Sequence, residues 1–190
     1  MWKSGSINVL LMTLLFGSGN FLRMERGFAV GRTDVTKHCD MPEACDVDGF
    51  SDWFKVGRYC VKYFNTPANF TDAEFSCMKN VSGGHLVSVH NEKDNGQLLC
   101  TMTELSRNKP RVWLGGYQLF KTGKFRWLDG SSWIYQRWAA GEPNHIYTNE
   151  ECVEMNWKVD GMWNDESCSV KKNYFCAFKR KTVFLKIDLQ

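Results

Sequence analysis

Apolar and polar positions along the chain fall into short runs broken by glycine, proline and amide residues. From Trp53 to Phe64 the segment WFKVGRYCVKYF is rich in aromatic and β-branched residues and reads as a strand. Thr71 followed three residues later by Glu74 is a capping-box pattern, which predicts a helix over about 72–80. Gly83-Gly84 stops it, and His85–Val89 predicts a short strand. A second helix is expected from Asn91 or Glu92 to Leu105; Pro110 closes that region, and Val112–Gly116 reads as a buried strand. Trp127, Trp133 and Trp138, interspersed with Gly123 and Gly130, read as core filling in preference to a row of sugar-stacking rings. Asn173–Phe178 predicts a closing strand.

The ends of the chain have a different pattern. Lys3 precedes an apolar run from Ile7 to Phe16 and the small residues Gly17, Ser18 and Gly19. Such a run is short of the roughly 20 residues a bilayer needs and suits a signal-peptide core, with a short uncleaved anchor as the alternative. Residues 1–19 are therefore set outside the fold. Residues 20–44, which carry Arg23, Arg26 and Arg32, read as a flexible arm. Asp46–Gly49 reads as a turn, and the basic segment 179–190 as a solvated tail. No other apolar run is long enough to cross a membrane.

Composition narrows the class. A chain of 190 residues suffices for one domain, and a domain near that size buries about 70% of its unfolded surface. A net charge of +3 gives no ground for wholesale nucleic-acid binding, while 8 Trp and 13 Phe argue for a compact core. In the secretory route eight cysteines imply a disulfide framework, although about a hundred pairings are possible. A zinc site at His38, Cys39 and Cys45 has no CxxC pair behind it. Asn69-Phe70-Thr71 and Asn80-Val81-Ser82 are sequons, open to glycosylation where exposed.

The segment from Gly141 to Cys168 carries the densest chemistry. It holds Glu142, Asn144, Glu150, Glu151, Asn164 and Asp165, a proline between two oxygen donors, and Cys152 and Cys168. Carboxylate and amide oxygens in such density suit a hard cation, and Ca²⁺ takes roughly six to eight oxygens. The spacing is not that of a contiguous EF-hand loop, so a cross-linked fold would have to gather the donors. By contrast, only four histidines exist, at 38, 85, 90 and 145, and neither HExxH nor G-x-S-x-G occurs. Carboxylates committed to a cation stay ionised and serve poorly as general acids, which argues against an enzyme.

Glu-Pro-Asn at 142–144, an acid two positions before Cys152, and Trp-Asn-Asp at 163–165 ahead of Cys168 resemble the sugar-binding signature of C-type lectins. Two helices followed by Trp113-Leu114-Gly115 and a long loop region resemble the same family, over about Cys45 to Phe178. The resemblance implies an α+β C-type lectin-like fold with short antiparallel sheets. It implies disulfides Cys45–Cys60, Cys77–Cys176 and Cys152–Cys168. Cys39 and Cys100 lie outside the common set, to pair with each other or between chains. Side chains of Glu142, Asn144, Glu150, Asn164 and Asp165 would hold one Ca²⁺, helped by a cis Glu142–Pro143 bond. The first four would also exchange hydrogen bonds with a vicinal diol. The order Glu-Pro-Asn is associated in the family with mannose-type sugars, including fucose and N-acetylglucosamine, and Gln-Pro-Asp with galactose. His145 and Tyr147 stand beside the site and could tune that choice. The family's accessory calcium site finds no acids at Gly116–Lys121. Antifreeze proteins and venom proteins that bind clotting factors share the scaffold and are the rival implications.

Overall fold

The computed structural model describes residues 39–106, 108–145 and 149–181. The expected signal peptide, the arm before Cys39, His38, Tyr147 and the tail after Lys181 lie outside the described residues.

Among the described residues ten elements follow one another: β1 (Phe54–Val56), β2 (Tyr59–Ala68), α1 (Phe70–Asn80), β3 (His85–Leu86), α2 (Glu92–Leu105), β4 (Val112–Gln118), β5 (Phe125–Trp127), β6 (Glu150–Met155), β7 (Trp163–Ser167) and β8 (Lys172–Lys179). The strands form one mixed sheet in the order β1-β2-β8-β4-β6-β7, with β3 added on β8 and β5 on β4. Only β4 and β8 run parallel; every other pairing is antiparallel. The fold is thus α+β, as the resemblance implied.

β8 is central and almost continuously buried, because both faces of the sheet are covered. Phe175 and Ala177 join Leu98 and Met102 of α2, with Leu114, Val153 and Trp163, in one apolar cluster. Tyr174, Cys176 and Phe178 point the other way, to Phe70, Ala73 and Cys77 of α1 and to Trp53 and Trp113. Gly115 lets β4 pass against the chain after β3: a Cβ there would meet the Leu86 carbonyl oxygen at 2.3 Å. Trp127 is core, and Trp133 and Trp138 pack partly buried against the same cluster.

Several boundaries differ from the sequence expectation, each for a visible reason. The strand expected over 53–64 is a hairpin, since Gly57 takes φ +55° and a two-residue loop pairs Val56 with Tyr59. α1 starts at Phe70, not 72. Its cap is Asn69, whose side chain accepts from the Asp72 amide at 2.8 Å. Glu74, expected in a capping box, is drawn away by tertiary partners, the Leu86 amide (2.7 Å) and His85 Nδ1 (2.6 Å). The strand expected over 85–89 is only two residues long. Residues 39–44, read as arm, already pack with the domain: Ala44 bridges Phe54, and the Glu43 carbonyl accepts from Lys55.

Four disulfides close the described chain: Cys39–Cys100, Cys45–Cys60, Cys77–Cys176 and Cys152–Cys168. Of the two sequon asparagines, Asn80 is exposed at the end of α1 and Asn69 is half-buried as its cap.

Candidate functional site

The segment read as one long loop from Gly141 to Cys168 contains an antiparallel strand pair. β6 and β7 align Val153 with Asp165 and Glu154 with Asn164, and the Cys152–Cys168 bridge ties the pair at one end. A bulge at Glu151 adds one residue to β6 and places Glu150 opposite Ser167. β7 is the last strand in the sheet order, so its outer edge is open to the preceding chain. Arg137–Ala139 uses that edge: the Trp163 amide donates to Arg137, and Ala139 donates back to Trp163. The chain then turns through Gly141, at φ +89°, and a cis Glu142–Pro143 peptide toward Asp165.

Glu142, Asn144 and Asp165 are brought together there. The Glu142 side chain is 2% exposed; its Oε1 accepts from Trp157 Nε1 at 3.0 Å and lies 3.5 Å from Lys158 Nζ. Its Oε2 accepts from the Asn144 amide. The Asp165 carboxylate is fully buried and accepts from the main-chain amides of Asn144 (3.1 Å) and His145 (3.2 Å). His145 Nδ1 stands 2.7 Å from the same carboxylate, and Gln118 contacts the histidine ring from β4.

Asn164 is placed differently. Strand alternation puts it on the face opposite Asp165, where its Nδ2 donates to Glu154 Oε1 at 2.8 Å. Glu154 has no exposed side-chain surface and is held by Arg111 and by Lys172 Nζ, the latter at 2.8 Å. Arg111 also reaches Glu166 at 2.6 Å, and Lys172 approaches it at 3.4 Å. Two acids and two bases therefore neutralise one another behind Asn164, as buried charges must. Burial opposes ionisation of Glu166, but the Ser167 amide, Lys172 and Arg111 outweigh it and hold its pKa below the ordinary carboxylate range. Arg111 stacks its guanidinium 4.2 Å from the Trp157 ring centre, so one chain of contacts runs from Glu142 through Trp157, Arg111 and Glu154 to Asn164. Glu150 is buried at the start of β6.

Trp157, Lys158, Arg111 and Glu154 were not singled out by the sequence reading. The signal was thin: an aromatic–basic pair in a turn between two donor clusters, and an acid two residues after a cysteine. Among the described residues, the one cluster of three His, Cys, Asp or Glu ligand atoms within metal-binding range is Cys45, Asp46 and Cys60, and its cysteines are joined in a disulfide. The donors at Glu142, Asn144 and Asp165 nevertheless fit a hard cation. Two buried carboxylates are aimed by main-chain and indole N–H groups, and each faces a cationic or ionisable side chain, Lys158 or His145, at the place where positive charge is needed.

A family model described as Lectin C-type domain matches residues 66–178. A lectin of Pleurodeles waltl is 37% identical over 138 residues, covering 73% of this chain and 80% of its own. A C-type lectin mannose-binding isoform of Oxyuranus scutellatus is 31% identical over 83% of this chain and 97% of its own. The galactose-specific lectin nattectin of Thalassophryne nattereri is 32% identical over 66% of this chain and 77% of its own. Among solved structures, the EPNH mutant of CEL-I aligns with a TM-score of 0.63 at 29% identity, covering 67% of this chain and 94% of that one. Herring type II antifreeze protein aligns at 0.61 with 27% identity, covering 69% and 98%.

Proposed function

Because the chain belongs to the C-type lectin domain family, we propose that it is an extracellular, calcium-dependent lectin selective for mannose-type vicinal diols. The observation that carries this reading is the Glu142–Asn144 turn docked on the outer edge of β7, with two buried carboxylates joined through Asn144. A cation at a strand edge can draw oxygens from side chains on both faces of that strand. Asn164 and Asp165 can therefore serve one ion with Glu142, Asn144 and Glu150 despite their alternation. Bound calcium would supply a Lewis-acidic centre that takes both hydroxyl oxygens of the diol into its shell.

The protein's own groups decide which diol fits. A carboxylate only accepts hydrogen bonds, whereas a primary amide has two N–H donors and one oxygen. Asn144 uses one N–H on Glu142, and Asn164 uses one on Glu154. With a cation bound, their amide oxygens would face the metal and their N–H groups the sugar hydroxyls. Glu142 and Glu150 provide the matching acceptors. Donor and acceptor thus alternate around two neighbouring hydroxyls. The letters Glu-Pro-Asn-His at 142–145 are also those by which the CEL-I mutant is described, and relatives of both mannose-binding and galactose-specific description exist.

Four disulfides suit an oxidising, extracellular setting, and among the described residues no helix is long and apolar enough to cross a membrane. Asn80, exposed at the end of α1, is the better placed of the two sequons for a glycan. Recognition of microbial surface glycans is the biological use that follows from a secreted mannose-type lectin. A glycan array read with calcium and again with chelator tests the reading; mannose, fucose and N-acetylglucosamine spots lit only with calcium are expected. The likeness to herring antifreeze protein makes ice binding the rival, and thermal hysteresis without any glycan signal would establish it instead.

A further inference from the structure

Beside the Glu142–Asn144 turn lies a cleft of about 450 Å³ lined by Lys124, Arg126, Trp133, Gln136, Trp138 and Pro143. Pro143 belongs to both places: it walls the cleft and joins two of the candidate calcium ligands. A saccharide seated on Glu142 and Asn144 therefore has this cleft as its neighbour.

The lining is chemically specific. Trp133 and Trp138 are half-buried, and both indole Nε1 groups point to Gln136 Oε1, at 3.5 and 3.1 Å. Gln136 is exposed and lines the cleft, so the two indoles present their rings and their N–H edges at its wall. Flat aromatic surface beside a few polar groups is the usual make-up of a small-ligand cleft. Arg126 stands on the outward face of β5, between the buried Phe125 and Trp127, and Lys124 precedes it. Both cations are exposed. The nearby Lys121 and Arg137 face Glu151 and Glu92, whereas no carboxylate among the described residues pairs with Lys124 or Arg126. An arginine and a lysine without acids, over two tryptophans, call for an anion attached to a ring.

We propose that this cleft is a second subsite for an anionic saccharide, a pyranose bearing sulfate or carboxylate and linked to the sugar held at Glu142 and Asn144. Its ring lies against Trp133 and Trp138 and its charge meets Lys124 and Arg126. The proposal rests on the lectin reading of the neighbouring site.

Titration of the full chain in calcium with three matched disaccharides tests it: one neutral and mannose-terminated, one sulfated, one carrying a uronic acid. The comparison variant is Lys124→Gln with Arg126→Gln, two exposed changes outside the core and outside the calcium ligands. The wild type is expected to bind at least one anionic disaccharide about tenfold more tightly than the neutral one at low salt, with the advantage shrinking as salt rises. The double variant is expected to erase that advantage and leave calcium and neutral-sugar binding unchanged. Preference for the sulfated or the uronic ligand supports the subsite and identifies its anion. Equal affinity for all three, or a preference that survives the double substitution, overturns it. A second arm separates this outcome from failure of the calcium site. With chelator present, the indole N–H resonances of Trp133 and Trp138 are followed as the sulfated and uronic disaccharides are added. Shifts that vanish in the double variant sustain the subsite even if mannose never binds; unmoved resonances with and without calcium refute it.

Discussion

Asp165 exposes none of its side chain, yet it sits one residue from Asn164, which serves a different set of partners. The site is therefore built from individual hydrogen bonds, and exchanging single atoms should redirect it. Glu142→Gln with Asn144→Asp swaps donor for acceptor across the diol while conserving volume. Preference is expected to move from mannose toward galactose by at least about tenfold, or roughly 1.4 kcal/mol, in competition binding. An unchanged ranking of sugars would show that the two residues do not read the diol. Trp157 acts one step further back, through its N–H to Glu142. Trp157→Phe keeps a ring beneath Arg111 but deletes that donor. Loss of such supporting contacts costs about 10–100-fold in metal affinity, so calcium titration calorimetry should register a weakening of that order with the fold intact. Full calcium affinity in the variant would make the contact incidental.

At the level of elements, legibility followed how local the determining contacts are. α2 was readable because its cap is local: the Asn91 side chain accepts from Asp94 at 2.9 Å, as an amide before a helical run should. α1 was misread by two residues because Glu74 answers to Leu86 and His85, which no local pattern announces. β6 and β7 read as loop in the sequence since EECVEM and WNDES are too rich in acids and amides to look like strands. What makes them strands is long-range: half-buried Arg111 and buried Lys172 neutralise Glu154 and Glu166. The five donor positions were visible as residue types, while the contacts behind them were not. The loop after β5 shows a further tertiary tie. Burial alone would raise the pKa of Asp129, but hydrogen bonds from Ser131 and Ser88 hold it below the ordinary carboxylate range. A carboxyl depressed in the folded state stabilises fully above its unfolded pKa of about 4, and that contribution is lost as pH falls through the folded value. Urea unfolding at pH 5, 4 and 3 should therefore show a steeper acid loss for the wild type than for Asp129→Asn. Parallel pH profiles would remove Asp129 from the account.

Across the whole molecule the disulfides divide the labour. Cys77–Cys176 spans 99 residues and joins α1 to central β8, so it constrains the unfolded chain most; its removal should cost about 4–5 kcal/mol. Cys152–Cys168 spans 16 and holds the donor-bearing strand pair; about 3 kcal/mol is expected there. The two should also differ in kind. Calcium at a hundred times its dissociation constant stabilises a folded binder by about 2.7 kcal/mol. That increment should shrink in Cys152→Ala/Cys168→Ala and persist in any Cys77→Ala/Cys176→Ala protein that folds, as thermal melts with and without calcium would reveal. The central claim is that the edge of β7 and the Glu142–Asn144 turn form one calcium-dependent site for a mannose-type diol. Retention of the full chain on immobilised mannan in calcium, with elution attempted separately by chelator, free mannose and free galactose, tests it most directly. Release by chelator and by mannose, with galactose inert, is the predicted result; passage through the column while calcium is bound, or release by galactose in place of mannose, would contradict it.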